Sequence, residues 1–299
     1  MIIPFDFYYS DTKNNKGLDK VYHNGQDKIW DGKEVLEDLF QKHEQFSIDP
    51  TKIDALKNIL SVVLWGEYVA WNVSSEMSSH FEDFGAKMAA VSQAHDEARH
   101  FYVMRDYLRR RLNYTPSAIF APALSVLKEV SVTKKLPRKL LGMQLMVEPV
   151  AITIFRFLRN SKVDPILCEL LELYEKDEAR HISLGVKYLP NLIKKMNFIE
   201  LGFFILWQLK MINYEIKGLK YMQKDFETLG IDPIKVFNFA EKKQIQCLMT
   251  LSKEMNINKS IWSPVITLVR FRKNIAFYPN KEHNFFKKTI NSLFEIMAN

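Results

Sequence analysis

Apolar residues along this chain recur at three- and four-residue spacing through long tracts, and period-two alternation is scarce. That is the signature of amphipathic helices, not of strands. Proline, glycine and capping residues mark the boundaries. Asp49-Pro50-Thr51 opens a helix, with the proline in the first turn where its missing N–H does no harm, and the pattern carries it to about Phe81. Asp83-Phe84-Gly85 interrupts, and a second helix is predicted from near Ala86 to Leu112, ended by Thr115-Pro116. Residues 116–137 read as a crossover with a short helix of its own, built on Ile119, Phe120, Leu124, Val126 and Leu127. A third helix follows over about 138–159. A turn over 160–165 with Asp164 as cap leads into a fourth, from Pro165 to about Leu189, ahead of Pro190. More helices are predicted near 200–226, 233–255 and 264–276. The expectation is an all-α chain: an irregular arm over 1–48, a core over 49–190, and C-terminal helices over 191–299 packed on that core as one domain.

Composition narrows the class. With 299 residues, 47% of them hydrophobic and 26% charged, the chain is neither disordered nor fibrous and can bury a large core. Cys168 and Cys247 form no CxxC pair, which rules out a zinc knuckle or a rubredoxin-type iron site and fits a reducing cytoplasm. The opening MIIPFDFYYSD lacks a basic leader, and the longest unbroken apolar run, 201–207, is too short to span a bilayer, so no integral membrane segment is expected. The net charge of +7 is uneven: residues 1–185 carry 24 Lys and Arg against 26 Asp and Glu, and residues 186–299 carry 18 against 9. A back third at +9 reads as Lys-rich solvated helix faces, or as a surface for an acidic partner or membrane; no nucleic-acid motif accompanies it.

The candidate chemistry lies in a repeat. The word DEARH occurs at 96–100 and again at 177–181, so Glu97 and Glu178 are 81 residues apart, and Glu67 and Glu148 are separated by the same 81. Within each half the lone Glu precedes the Glu-x-x-His by 30 residues. Each helix rises about 1.5 Å per residue, which puts both Glu of a half roughly 20–25 Å from its turn and therefore level with each other. Glu97 with His100, and Glu178 with His181, share a helix face at i, i+3. Four carboxylates and two imidazoles thus converge at mid-height, and without counter-ions the carboxylates would have to take up protons. Two divalent ions supply the missing +4, and oxygen and imidazole donors suit iron or manganese.

One Glu from each of two helices plus a Glu-x-x-His from each of the other two is the donor set of the ferritin-like di-iron and di-manganese carboxylate proteins, whose four-helix bundle the segment 53–189 resembles. The resemblance is to the oxygen-activating members: monooxygenase hydroxylase subunits, acyl-carrier-protein desaturases and the small subunit of class I ribonucleotide reductase. It implies metal ligands Glu67, Glu97, His100, Glu148, Glu178 and His181, with Asp96 and Asp177 accepting the imidazole N–H of the opposite half. The plainer alternative for the two Asp is pairing with Arg99 or Arg180. His80 and His95 read as ordinary helix residues. The resemblance also implies two Fe ions (or Mn, or a mixed Mn/Fe pair), O2, a small-molecule or acyl substrate, an external electron donor such as a reductase or ferredoxin, and a homodimer.

Departures from the pattern sort the branches. Met104 stands where a ribonucleotide reductase subunit usually carries its radical Tyr, and the chain closes with SLFEIMAN rather than a Tyr-bearing tail. Tyr174 replaces the extra His of the aromatic amine N-oxygenases, and Ile152 the Thr of the aromatic and methane hydroxylases. The function expected is an O2-dependent di-iron oxidase or oxygenase; a radical-generating subunit and an iron-storage or peroxide-scavenging protein are the alternatives. Pro149, next to Glu148, is expected to kink the third helix or open a π-type bulge, unless a helix begins there. Ala70, Ser74, Ala94, Ala151 and Gly185 are small residues near the ligands that either leave a pocket or let helices approach.

Overall fold

A computed structural model describes residues 16–116 and 121–277, with positions 287, 289, 290 and 292. The first part of the expected arm, Ile119 and Phe120 of the crossover, and most of the closing SLFEIMAN lie outside the described residues. Those described contain helix and no strand. The elements are α1 (Lys16–Gln26), α2 (Gly32–Lys42), α3 (Ile53–His80), α4 (Phe84–Leu112), α5 (Ala121–Val132), α6 (Leu136–Gly142), a π-helical turn (Met143–Val147), α7 (Glu148–Ser161), α8 (Pro165–Ile193), α9 (Phe198–Tyr221), α10 (Gln223–Thr228), α11 (Pro233–Met255) and α12 (Ser263–Phe277).

The predicted hairpins are present. In the first, α3 enters through Asp49, whose carboxylate accepts from Thr51 N at 2.9 Å, and α4 starts on Asp83, which caps Ala86 N at 2.8 Å. Asn113 ends α4 in the left-handed conformation (φ 46°) and Lys162 ends α7 the same way (φ 51°), a common helix stop. The second hairpin joins α7 to α8.

Three local readings are corrected. Residues 16–48 are not irregular: they form α1 and α2, the latter capped by Asp31, which accepts from Lys33 N and Glu34 N. These two short helices are amphipathic and lie against α4 and α8, so packing supplies what their Gly- and Asn-containing sequence lacks. Asp164 occupies the cap position of α8 but does not cap it; its buried carboxylate instead accepts from Tyr107 Oη (2.7 Å) and Arg111 (3.0 Å). Pro190 does not end α8, which continues to Ile193.

Leu136–Ser161, taken through α6, the π turn and α7, is long and apolar enough by length and composition to cross a membrane, although Arg138, Lys139, Gln144 and Glu148 interrupt its apolar run. It is mostly buried against the other helices. One contiguous cluster of buried apolar side chains runs from Leu18 on α1 to Phe277 on α12, with Leu56, Ile59 and Leu60 of α3, Tyr107 of α4 and Phe155 of α7 among its fully buried members. α11 packs on α7 and α8, α1 on α4 and α8, and α5 on both α9 and α3.

Candidate metal centre

Glu67 sits midway along α3, Glu97 and His100 midway along α4, and Glu178 and His181 midway along α8, each on the face turned inward; all are buried. Glu148 arrives differently. The helix before it widens and underwinds into the π turn at Met143–Val147, and Glu148 is the first residue after that turn, followed by Pro149. The bulge thus falls just before the proline, whose missing N–H loosens the hydrogen-bond ladder. Gly185 on α8 allows the approach: a Cβ there would lie 2.6 Å from Gln144 Cβ in the π turn.

These six side chains meet. Donor atoms of Glu67, Glu97, His100 and Glu178 lie within 4.8 Å of one another, and so do those of Glu97, Glu148, Glu178 and His181. Glu97 and Glu178 belong to both groups. His100 Nδ1 is 3.3 Å from Glu67, 3.5 Å from Glu97 and 3.3 Å from Glu178; His181 Nδ1 is 3.0 Å from Glu97 and 2.8 Å from Glu178. Glu97 Oε2 is buried and accepts no hydrogen bond. An orphaned carboxylate oxygen amid oxygen and nitrogen donors fits a metal ion better than it fits a finished hydrogen-bond network. The two groups could each hold one ion.

Around this inner ring the repeated DEARH words close a second one. His100 Nε2 donates to Asp177 Oδ2 at 3.0 Å and His181 Nε2 to Asp96 Oδ2 at 3.3 Å, each imidazole reaching the Asp of the other half. Both proposed roles of the Asp residues coexist. Arg99 bridges Asp96 (2.6 Å) and Asp177 (2.9 Å), and Arg180 bridges Asp177 (2.6 Å) and Asp96 (3.0 Å). Two buried carboxylates and two guanidiniums cancel, which makes the outer ring electrically neutral. His80 and His95 are exposed.

The inner ring reaches neutrality through protons. Burial raises Glu67 and Glu148 well above the usual carboxylate range, with repulsion from Glu97 and Glu178 adding to it, which favours the neutral, protonated form of both. Burial opposes the charge on Glu97 too, but His181 and His100 hold its carboxyl well below that range, and Glu178 is likewise lowered by the two imidazoles against burial. Burial also works against imidazolium, yet the carboxylates facing His100 and His181 hold both well above the ordinary histidine value. Two carboxylates and two imidazoliums then balance. Filling the ring with two divalent ions requires four carboxylates and two neutral imidazoles, so one proton leaves each of Glu67, Glu148, His100 and His181. Loading two divalent ions near pH 7 is therefore expected to release about four protons per chain, measured from the buffer dependence of calorimetric heats. Because protons compete with metal, affinity falls as pH falls, by up to about four decades per unit for the two ions together. Release of one proton or fewer would contradict this charge balance.

Several contacts have no counterpart in the sequence reading. Gln93 Nε2 donates to Glu97 (3.1 Å) and Glu148 (3.0 Å), and Gln93 accepts from Gln144 of the π turn (3.0 Å). Tyr174 stacks on the His100 ring with centroids 4.0 Å apart and donates to the His100 carbonyl at 2.6 Å. Gln93 and Tyr174 are themselves 81 residues apart, so the repeat held the clue. Trp30, half-buried between α1 and α2, donates its indole N–H to Asp177 Oδ2 at 2.9 Å.

Beside the ring lies an apolar cavity of about 100 Å³. Glu67 and Glu148 form part of its wall; Val63, Ala70, Leu127, Ala151 and Phe155 are among the rest. Of the small residues singled out, Ala70 and Ala151 border it, whereas Gly185 serves helix approach. Glu215 of α9, also on the wall, is raised to about 7 by burial and held by Gln244. Gln244 also donates to the Met146 carbonyl, which ties α11 to the π turn.

A scan of the sequence against models of known protein families finds no match, and a search of curated proteins finds no similar one.

Proposed function

We propose that this chain is a ferritin-like di-metal oxidoreductase that uses O2 to oxidise a small-molecule or acyl substrate, with two Fe ions as the metals and Mn or mixed Mn/Fe as the alternative. The observation that carries this reading is the pair of overlapping donor groups sharing Glu97 and Glu178, buried beside an apolar cavity. Glu97 and Glu178, common to both groups, would serve both ions, and the remaining donors divide evenly, Glu67 with His100 and Glu148 with His181. Two ferrous ions held there would supply two of the four electrons that O2 takes up, the C–H or N–H bond of the substrate the other two, and the external donor would re-reduce the iron.

The chain's own residues do the rest. Asp177 and Asp96 fix which imidazole nitrogen faces the ring, and Arg99 and Arg180 fix the two Asp. The cavity excludes water and accepts an apolar part of the substrate against Glu67 and Glu148. Trp30, Asp177 and His100 form an unbroken hydrogen-bonded path from the α1–α2 layer to the ring, the route by which an external donor would deliver electrons. Met104 is buried where the radical-generating subunits have tyrosine, which favours the oxidase reading.

The test is anaerobic loading with ferrous iron to two per chain, then exposure to O2 with a chemical reductant. O2 uptake beyond that needed to oxidise the iron, and no stable tyrosyl signal in electron paramagnetic resonance, are expected. Loading far beyond two irons per chain, or a stable tyrosyl radical, would move the assignment to storage or to a radical subunit.

A further inference from the structure

The basic back third plays no part in the metal centre, and one face of it combines charge with exposed apolar side chains. At the start of α9 Phe198 is 90% exposed, Ile199 70%, Phe203 59% and Leu206 61%. Phe204, Trp207 and Met211 on the other face are buried, which orients the helix and leaves the first set outside. Val132, at the end of α5, is 57% exposed, and its neighbour Val130 packs near Trp207 around Gly142. The start of α6 lies alongside, since Arg138 donates to the Phe203 carbonyl and stacks over the Trp207 ring. Lys134 and Lys135 immediately precede α6; Lys194 and Lys195 follow the end of α8 at Ile193, in the turn that leads into α9.

All four lysines are exposed. Among the described residues Lys134, Lys135 and Lys194 have no carboxylate within ion-pair distance, and Lys195 has a long contact of 3.4 Å to exposed Glu82. Among the described residues the one acid on the ridge is Glu200, which is turned back to cap the α9 N-terminus through Asn197.

We infer that this ridge, Phe198, Ile199, Phe203 and Leu206 with Lys134, Lys135, Lys194 and Lys195 at its base, docks the protein on an anionic membrane surface. The shape and chemistry select that occupant. Apolar side chains carried outward on a convex helix end, with lysines behind them, match the layering of an acyl boundary beneath anionic headgroups. A second copy of the chain is a poorer fit. Two-fold pairing would set the lysines of both copies against each other, and the four side chains, at about 150–200 Å² each scaled by their 59–90% exposure, offer roughly 500 Å², short of the ~800 Å² per partner of a stable interface.

The experiment is flotation of the full chain with vesicles of phosphatidylcholine, with and without phosphatidylglycerol. It needs no metal, so its outcome is separate from that of the di-metal reading. Binding is expected only with phosphatidylglycerol, weakening as salt is raised. Lys134→Glu with Lys135→Glu should lower the partition coefficient by about thirtyfold or more. Phe198→Ser with Phe203→Ser should abolish binding while the melting temperature stays within a degree or two. Ile234→Ser, an exposed apolar site elsewhere, should leave it unchanged. Equal binding by wild type and the Phe double variant would overturn the inference. So would failure of wild type to float, or a wild-type dimer that Phe198→Ser with Phe203→Ser converts to monomer. Capture of a soluble acidic protein by this ridge without vesicle binding would overturn it as well.

Discussion

Glu97→Ala and Glu178→Ala should each leave a folded chain that no longer holds two metal ions. Each of these carboxylates belongs to both donor groups, so one substitution removes a donor from both at once. Glu67→Ala and Glu148→Ala remove a donor from one group only, and each is expected to keep the ion of the other group. Folding should survive in the first pair because Glu67 and Glu148, relieved of the repulsion of the lost carboxylate, can ionise in its place and keep His100 and His181 balanced. The measurement is metal content by mass spectrometry after equilibrium dialysis against Mn(II) or Fe(II), alongside circular dichroism. Two metals per chain retained by both Glu97→Ala and Glu178→Ala would refute the ligand assignment.

That contrast between shared and unshared carboxylates was half legible in the sequence. The 81-residue offset identified all six side chains, because a helix fixes which residues share a level and a face, and those rules are local. Which two are common to both groups depends on how one hairpin faces the other, and no spacing within a hairpin encodes that. The reach of each Asp to the opposite His has the same origin and was available only through resemblance. Trp30 escaped notice for another reason. It lies in a segment whose Asn and Gly residues give weak helical signals, and α1 and α2 are stabilised by the faces of α4 and α8 they cover. The π turn was foreseen near Pro149 because a missing N–H has a local consequence. Its place, one turn earlier at Met143–Val147, is set by Gln244 and Gly185, which are distant in sequence.

Asp177→Ala is expected to lower the stability of the metal-free protein by about 3–5 kcal/mol, the cost of breaking a buried ion pair from one side. Its carboxylate accepts from Trp30, Arg99, Arg180 and His100, and its side chain is 2% exposed, so solvent screening gives little relief. Removing it leaves two guanidiniums on Asp96 alone and an imidazolium nitrogen with no acceptor. The pH dependence follows from the sign of the shift. Burial opposes ionisation, but His100, Arg180 and Trp30 together depress the Asp177 carboxyl far below its ordinary value. A group depressed in the folded state stabilises fully above its unfolded pKa of about 4 and loses that contribution only as pH falls toward the folded value. The gap between wild type and Asp177→Ala should therefore stay constant across pH 5 to 8, as far as this group determines it, and narrow in acid. Asp177→Asn, which keeps the shape and one acceptor but not the charge, should recover only part of the loss. Urea denaturation of all three proteins at several pH values measures this. A loss below about 1 kcal/mol for Asp177→Ala would mean that the outer ring acts as a solvated surface pair does, and the neutral double ring around the metal centre would have to be abandoned.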